Sequence, residues 1–187
     1  MLFRGLALLL VVLALGSHAA MAKKGDNRQP TPVQMDLREI QVASAGLPTD
    51  TETFAGFPEF AQPNDNLQLV NGTYYGGIPF ILGETLYDNT IETPRMFTNF
   101  PPGTRFWGAD LLAGDAAEFD IVVVGNSGVL VLTAVRGNQL DGFLGFHDPQ
   151  GLVSVAVQTV DGSSSGGSDV GLGNYGFDNV TTAGWID

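Results

Sequence analysis

Carboxylates that lie close together in the chain are the first candidates for chemistry. Asp110, Asp115, Glu118 and Asp120 fall within one short stretch. Glycosidases use two carboxyl groups at a defined separation, one of them an acid with a raised pKa. The stretch therefore supports the hypothesis of a glycan-active hydrolase, and the alternative is a solvated turn and strand face.

A serine and a histidine raise the question of nucleophilic catalysis. Ser127 lies in the segment GNSGV, which departs from the G-x-S-x-G pattern because Val129 replaces the last glycine. His147 is the only histidine after residue 22, and the chain has no cysteine. We therefore interpret Ser127 as part of a hairpin turn and His147 as a surface residue, and a histidine-based zinc site is not expected.

Two adjacent tyrosines are the best candidates for binding sugars. Tyr74 and Tyr75 lie among glycines, where an aromatic ring has little reason to join a core. An exposed aromatic ring offers an apolar face on which a pyranose can stack. We therefore predict a glycan contact at Tyr74 and Tyr75. Trp107, by contrast, alternates with Ala109 and Leu111 and is predicted to be buried.

Asp178 shares strand parity with Val180, which we expect to point inward. An unpaired charge on an inward face is costly, so the carboxylate needs a partner. Backbone amides at a bulge or turn would serve, and so would a cation.

The composition excludes some classes of partner. The chain of 187 residues has 20 acidic and 8 basic side chains and a net charge of −12. Such a chain repels phosphate backbones and anionic lipids, so nucleic acid and membrane surfaces are not expected partners. The excess carboxylates leave room for divalent cations.

The first residues have the pattern of a secretory signal peptide. Arg4 precedes the apolar run Leu6–Leu15, and Ala20-Met21-Ala22 is a small-x-small cleavage site. We predict a signal peptide over 1–22, a disordered leader over 23–34 and a single domain over 35–187. The protein is expected to be secreted, either extracellular or periplasmic, with no membrane insertion after cleavage.

Short apolar segments separated by Gly, Asp, Asn and Ser fill most of the domain. This pattern predicts an all-β, antiparallel two-sheet β-sandwich of jelly-roll type. Asp36–Ala43 is predicted as one short helix, with a strand as the alternative. Residues 87–100 lack periodicity and are expected to wrap the surface. Gly125–Gly128 predicts a hairpin turn, and the hairpin's apolar strands predict a central position covered on both faces.

Several segments resemble one known group. These are TETFAGFP, FWGADLL, FLGF, GLVSV and YGFDNV, which together span about Thr51–Thr182. They resemble exported bacterial β-sandwich proteins that often carry a PEP-CTERM sorting tail. The resemblance implies extracellular or periplasmic residence. The tail itself is absent from the last residues, AGWID, so sorting to the envelope is not carried over.

The last strand also resembles that of jelly-roll carbohydrate-binding domains. Phe177-Asp178-Asn179-Val180 is similar to their hydrophobic-Asp-x-hydrophobic strand, which holds a structural Ca²⁺ beside the first strand. The resemblance implies that Asp178 and Glu52 are calcium ligands, with backbone carbonyls completing the oxygen shell. The alternative is a hydrogen-bonded aspartate in a turn.

Together these observations favour an exported, non-enzymatic β-sandwich protein that binds or builds the cell exterior or extracellular matrix. A lectin-like module with structural calcium and a glycan-active hydrolase are the alternatives. Extracellular polysaccharide and self-association are the expected kinds of partner. A matrix protein would show an exposed apolar patch or strand edge.

Overall fold

The computed structural model describes residues 32–57, 66–76, 79–88, 94–113, 118–140, 142–160 and 175–184. These ranges contain one α-helix, α1 (Leu37–Ala43), and a series of β-strands. The strands are β1 (Val33–Gln34), β2 (Thr49–Glu52), β3 (Asn66–Leu69), β4 (Gly72–Tyr75), β5 (Pro79–Leu82), β6 (Thr85–Asp88), β7 (Arg95–Thr98), β8 (Phe106–Ala113), β9 (Glu118–Gly125), β10 (Gly128–Arg136), β11 (Phe143–His147), β12 (Leu152–Thr159) and β13 (Tyr175–Ala183).

The strands form two antiparallel sheets. Sheet A has the order β1-β11-β8-β13-β6-β5, with β2 also pairing with β13, and sheet B has the order β10-β9-β12-β7-β4-β3. The predicted all-β, two-sheet sandwich is therefore confirmed. Glu52 of β2 lies opposite Val180 of β13, so the strand that carries Glu52 lies beside the last strand.

Apolar side chains at every second position of the strands place the core between the sheets. On β8, Trp107 and Ala109 are 0% exposed, and on β9 Phe119, Ile121 and Val123 are also 0% exposed. They join one continuous apolar cluster. The burial of Trp107 is as predicted, because successive strand side chains point to opposite faces.

Helix α1 covers the outer face of sheet A. Its cap is reciprocal: Glu39 N donates to the Asp36 carboxylate at 2.7 Å and Asp36 N to the Glu39 carboxylate at 2.9 Å. Ile40 packs over Gly145, where an added Cβ would come within 2.5 Å of the Ile40 Cδ1. Gly145 lies opposite Gly108 on β8, so two glycines open the groove that receives the helix. The predicted short helix is confirmed.

Three local predictions are wrong. Residues 33–34, assigned to the disordered leader, form β1 and pair with β11. Residues 87–100 do not merely wrap the surface, because they include the end of β6 and all of β7. The hairpin of β9 and β10 exists, but it is not central, since β10 is an edge strand of sheet B. The signal peptide, residues 1–22, lies outside the described residues.

Candidate functional site

A bulge in β13 places Asp178 on the face opposite to the predicted one. Phe177 and Val180 both lie in the core, 0% and 1% exposed, although three positions separate them. The register with β8 shifts between Asp178 and Thr181, and Asn179 has a φ of 48°. The bulge breaks the parity on which the inward prediction depended. Asp178 is therefore half-buried on the outer face of sheet A, opposite Asp110.

Asp178 has a local hydrogen-bond partner at this bulge. The N–H of Asn179 donates to its carboxylate at 2.6 Å, and the Asn179 side-chain amide donates to Asp110 at 2.7 Å. Burial raises the pKa of Asp178, the Asn179 N–H opposes the rise, and the negative charges of Asp110 and Glu84 add to it. The carboxylate is thus in an environment that disfavours its charged form.

Glu52 is occupied by backbone amides. Its carboxylate accepts from the N–H of Phe54 at 3.0 Å and from the N–H of Val70 at 3.1 Å. It therefore joins the end of β2 to the end of β3, which is a structural role. In the described parts of the chain, no three His, Asp or Glu side chains are grouped so that they could hold a metal ion. A calcium ion held by Asp178 and Glu52 stays a prediction.

The two predicted sugar contacts, Tyr74 and Tyr75, point to opposite faces of β4. Tyr74 is 0% exposed and packs against Phe97, with the ring centroids 5.1 Å apart. The prediction for Tyr74 is therefore wrong: β4 is an interior strand of sheet B, and Tyr74 points toward sheet A. Tyr75 points the opposite way and is half-buried beside Met96, so its contact with a glycan stays a prediction.

The clustered carboxylates do not converge. Asp110 lies on β8 in sheet A, whereas Glu118 and Asp120 lie on β9 in sheet B. Glu118 pairs with Arg136 at 3.2 Å, and Asp120 accepts from the N–H of Ala134 at 3.0 Å. Asp115 lies outside the described residues. The described carboxylates therefore form two separate surface groups.

Ser127 and His147 do not form a catalytic pair. The Ser127 hydroxyl and N–H both donate to the buried carboxylate of Asp148, which also accepts from the N–H of Gln150. His147 instead stacks on Phe106, with ring centroids 4.3 Å apart. Burial lowers the pKa of His147, the Asp148 charge opposes this and Arg105 adds to it. The arrangement fixes a turn, and sequence reasoning missed the role of Asp148.

Sequence reasoning also missed a buried arginine. Arg95 on β7 is 1% exposed, and its guanidinium lies 3.6 Å from the ring centroid of Tyr175 on β13. Its Nη1 donates to the Tyr175 carbonyl at 2.5 Å. The side chain therefore connects sheet B to sheet A through the core. The sequence does place Arg95 two residues before Phe97, on the same face of a strand, but this pattern falls within residues 87–100, which were predicted to wrap the surface.

A surface cleft of about 370 Å³ lies between the end of β2 and the turn of β5 and β6. It is lined by Phe54, Ala55, Phe57, Ile81, Gly83 and Glu84. Its volume is at the low end for small-molecule sites, which also present several convergent polar groups. Of the six lining residues, Glu84 alone is charged, so the cleft lacks the convergent polar side chains that such sites present.

The open edge of sheet B has the clearest features of a binding surface. Strand β10 is nine residues long, and Val129 and Val131 are 40% and 50% exposed. Val131 begins a row of apolar side chains that crosses the outer face of sheet B. Its members, in register, are Val131, Val122, Ala156, Met96 and Tyr75. Val122 and Ala156 are buried, so Val131 is the exposed member of this row, and Met96 and Tyr75 are half-buried.

Comparison with known proteins assigns neither a family nor a function to this chain. No protein-family model, no curated protein and no solved structure matches this chain. Among the described residues, no helix is both long enough and apolar enough to cross a bilayer.

Proposed function

We propose that this chain is an exported, non-enzymatic β-sandwich protein that serves as a structural or binding component of the cell exterior. The edge of β10 carries this proposal. A long edge strand with exposed valines is a template for pairing with another chain, and folded proteins normally protect such edges.

Two further features support an exterior role. The signal-peptide pattern over 1–22 directs the chain out of the cytoplasm. The net charge of −12 favours solubility and opposes association through charged surfaces, and Gly128–Val135 of β10 carries no charge. Binding through backbone hydrogen bonds needs no catalytic group and no cofactor.

The test is the location and retention of the tagged full chain in a Gram-negative bacterium. We expect processing near residue 22 and recovery mainly with the extracellular matrix. Val131→Lys should shift the protein from the matrix to the free medium by several-fold. Val42→Lys is the matched control, because Val42 is an exposed valine (72%) on α1.

Two results would contradict the proposal. An unprocessed protein in the cytoplasm would overturn the exported role. Equal matrix retention of wild type and Val131→Lys would remove β10 as the binding surface.

A further inference from the structure

The other edges of the described sheets are short or protected, and β10 is not. Strand β1 has two residues, while β2, β3 and β5 have four each. Strand β2 carries Asp50 and Glu52, and β5 begins with Pro79. Short strands, charges and proline are the usual means of preventing edge-to-edge pairing. From Gly128 to Val135, β10 has no charge and no proline.

The hydrogen bonds of β9 show which of its residues face β12. The carbonyl of Glu118 accepts from the N–H of Val160 at 2.9 Å, and the N–H of Asn126 donates to the carbonyl of Gly151 at 2.8 Å. Glu118 begins β9, Asn126 directly follows it, and both have even numbers. Because backbone groups alternate in direction along a strand, the odd-numbered residues of β9 face β10.

The same alternation determines the direction of the backbone groups of β10. Val123 and Gly125 of β9 lie opposite Leu130 and Gly128. The N–H and C=O groups of Gly128 and Leu130 therefore bond inward to β9. Those of Val129 and Val131 point to the open edge, and the same two residues expose their side chains.

A bulge sets the length of the regular edge. The register of β10 with β9 shifts between Leu132 and Val135, and Ala134 has a φ of 52°. The N–H of Ala134 is taken by the side chain of Asp120. A bulge bends the strand and interrupts its pairing. The regular edge is therefore Gly128–Leu132, with Leu130 at its centre.

We infer that a second copy of this chain pairs with this edge, antiparallel, about a two-fold axis at Leu130. Val129 of each copy then lies opposite Val131 of the other, and their outward N–H and C=O groups form two reciprocal pairs of hydrogen bonds. The valines meet on the outer face, and the half-buried Leu130 side chains meet on the inner face. This inference rests on the proposed function of β10: the partner at the edge is a second copy, and the dimer, which presents every other surface twice, is retained in the matrix more strongly than the monomer.

The symmetry of the edge favours a second copy, because the outward-facing Val129 and Val131 lie at equal distances on either side of Leu130. Two copies carry the same net charge of −12, yet no charge lies within the paired segment of either one. A two-fold contact uses the same edge of both copies, so it closes as a dimer and does not extend into a fibre. The paired segments are smaller than the ~800 Å² per partner of a stable complex, so we expect a micromolar dissociation constant that falls as salt screens the net charge.

Sedimentation velocity over a range of micromolar concentrations tests the dimer. We expect the dimer fraction of the wild type to rise with concentration. Val131→Lys should weaken dimerisation at least tenfold, although it makes the net charge less negative, and Val42→Lys should leave it unchanged. Val131→Pro should weaken it as much, because it removes an outward N–H that β9 does not use. Circular dichroism of each variant confirms that it is folded.

Cysteine cross-linking tests the register, since the chain has no cysteine of its own. A mixture of Val129→Cys and Val131→Cys proteins should form a disulfide-linked heterodimer under mild oxidation, and each variant alone should cross-link far less. Preferential cross-linking of Val131→Cys to itself would overturn the two-fold axis at Leu130. A wild type that stays monomeric, or a dimer unaffected by Val131→Lys, would overturn the inference. Matrix retention that remains sensitive to Val131→Lys would then leave the proposed function standing.

Discussion

Asp148 should contribute more to stability than any other turn residue described above. Its carboxylate is 0% exposed and accepts from Ser127 Oγ, Ser127 N at 3.0 Å and Gln150 N at 2.8 Å. These bonds fasten the turn between β9 and β10 to the turn between β11 and β12. Asp148→Ala leaves two backbone N–H groups without this acceptor.

The expected magnitude follows from those two amides. Each buried donor left without a partner costs ~1–3 kcal/mol, and the exposed Gln150 lets water replace one of the lost bonds. One unsatisfied amide at ~1–3 kcal/mol and the lost Ser127 hydroxyl bond at ~1 kcal/mol together predict that Asp148→Ala lowers the free energy of unfolding by ~2–4 kcal/mol. Ser127→Ala keeps both backbone bonds and should cost only ~1 kcal/mol. Equilibrium unfolding in urea at neutral pH, with an unchanged m-value, measures both.

Gly125 provides a direct check on the geometry. A Cβ added there would overlap the Asp148 carboxylate. Gly125→Ala should therefore destabilise the wild type strongly and the Asp148→Ala protein much less, so the double-mutant cycle should show coupling. Additive effects, or a cost of Asp148→Ala no greater than that of Ser127→Ala, would refute the reasoning.

Two further predictions concern titration. Because the pKa of His147 is lowered in the fold, the unfolded chain binds the proton more readily than the folded one. The free energy of unfolding should therefore fall as pH drops from about 7 to 5. His147→Gln should reduce this pH dependence, as measured by urea unfolding at each pH. Because the pKa of Asp178 is raised, its ionised form costs stability above that pKa, so Asp178→Asn should raise the melting temperature in EDTA at neutral pH and lose this gain below the ordinary aspartate pKa. If calcium binds at Asp178, the wild type should melt higher in Ca²⁺ than in EDTA and Asp178→Asn should not, whereas equal melts of the wild type would contradict the site.

Alternation in the longer strands was sufficient to predict the core. The predicted burial of Trp107 is confirmed, because β8 runs eight residues with apolar groups at every second position from Trp107 to Leu111. A period of two over that length has few alternative explanations. The hairpin was predicted from its turn residues instead, and the turn does fall between Gly125 and Gly128.

Irregularities in the strands explain the failure at Asp178. Its parity was counted from Val180, and the bulge at Asn179 reverses the face between the two. Asparagine tolerates the positive φ of Asn179, but an asparagine in a strand does not by itself mark a bulge. The candidate calcium site could therefore not be placed correctly from the pattern alone.

Short strands explain the failures at Tyr74 and Arg95. Strands β4 and β7 have four residues each, too few for a period to show. Nearby glycines suggested a loop at Tyr74, and a charged residue suggested the surface at Arg95. The buried position of Arg95 depends on Tyr175, 80 positions later in the chain, which supplies both a ring face and a carbonyl. Such a partner is visible only once the two sheets are stacked.

The turn that Asp148 holds is also the start of the open edge. Gly128, the first residue of β10, directly follows Ser127, so the hydrogen bonds to Asp148 fix where the edge begins. The bulge at Ala134, bonded to Asp120, fixes where its regular part ends. Two buried or half-buried carboxylates thus hold both ends of a five-residue segment whose outward backbone groups have no strand beside them in the described sheets. Because association needs that segment straight, loosening either end should weaken pairing even though neither carboxylate lies on the edge itself.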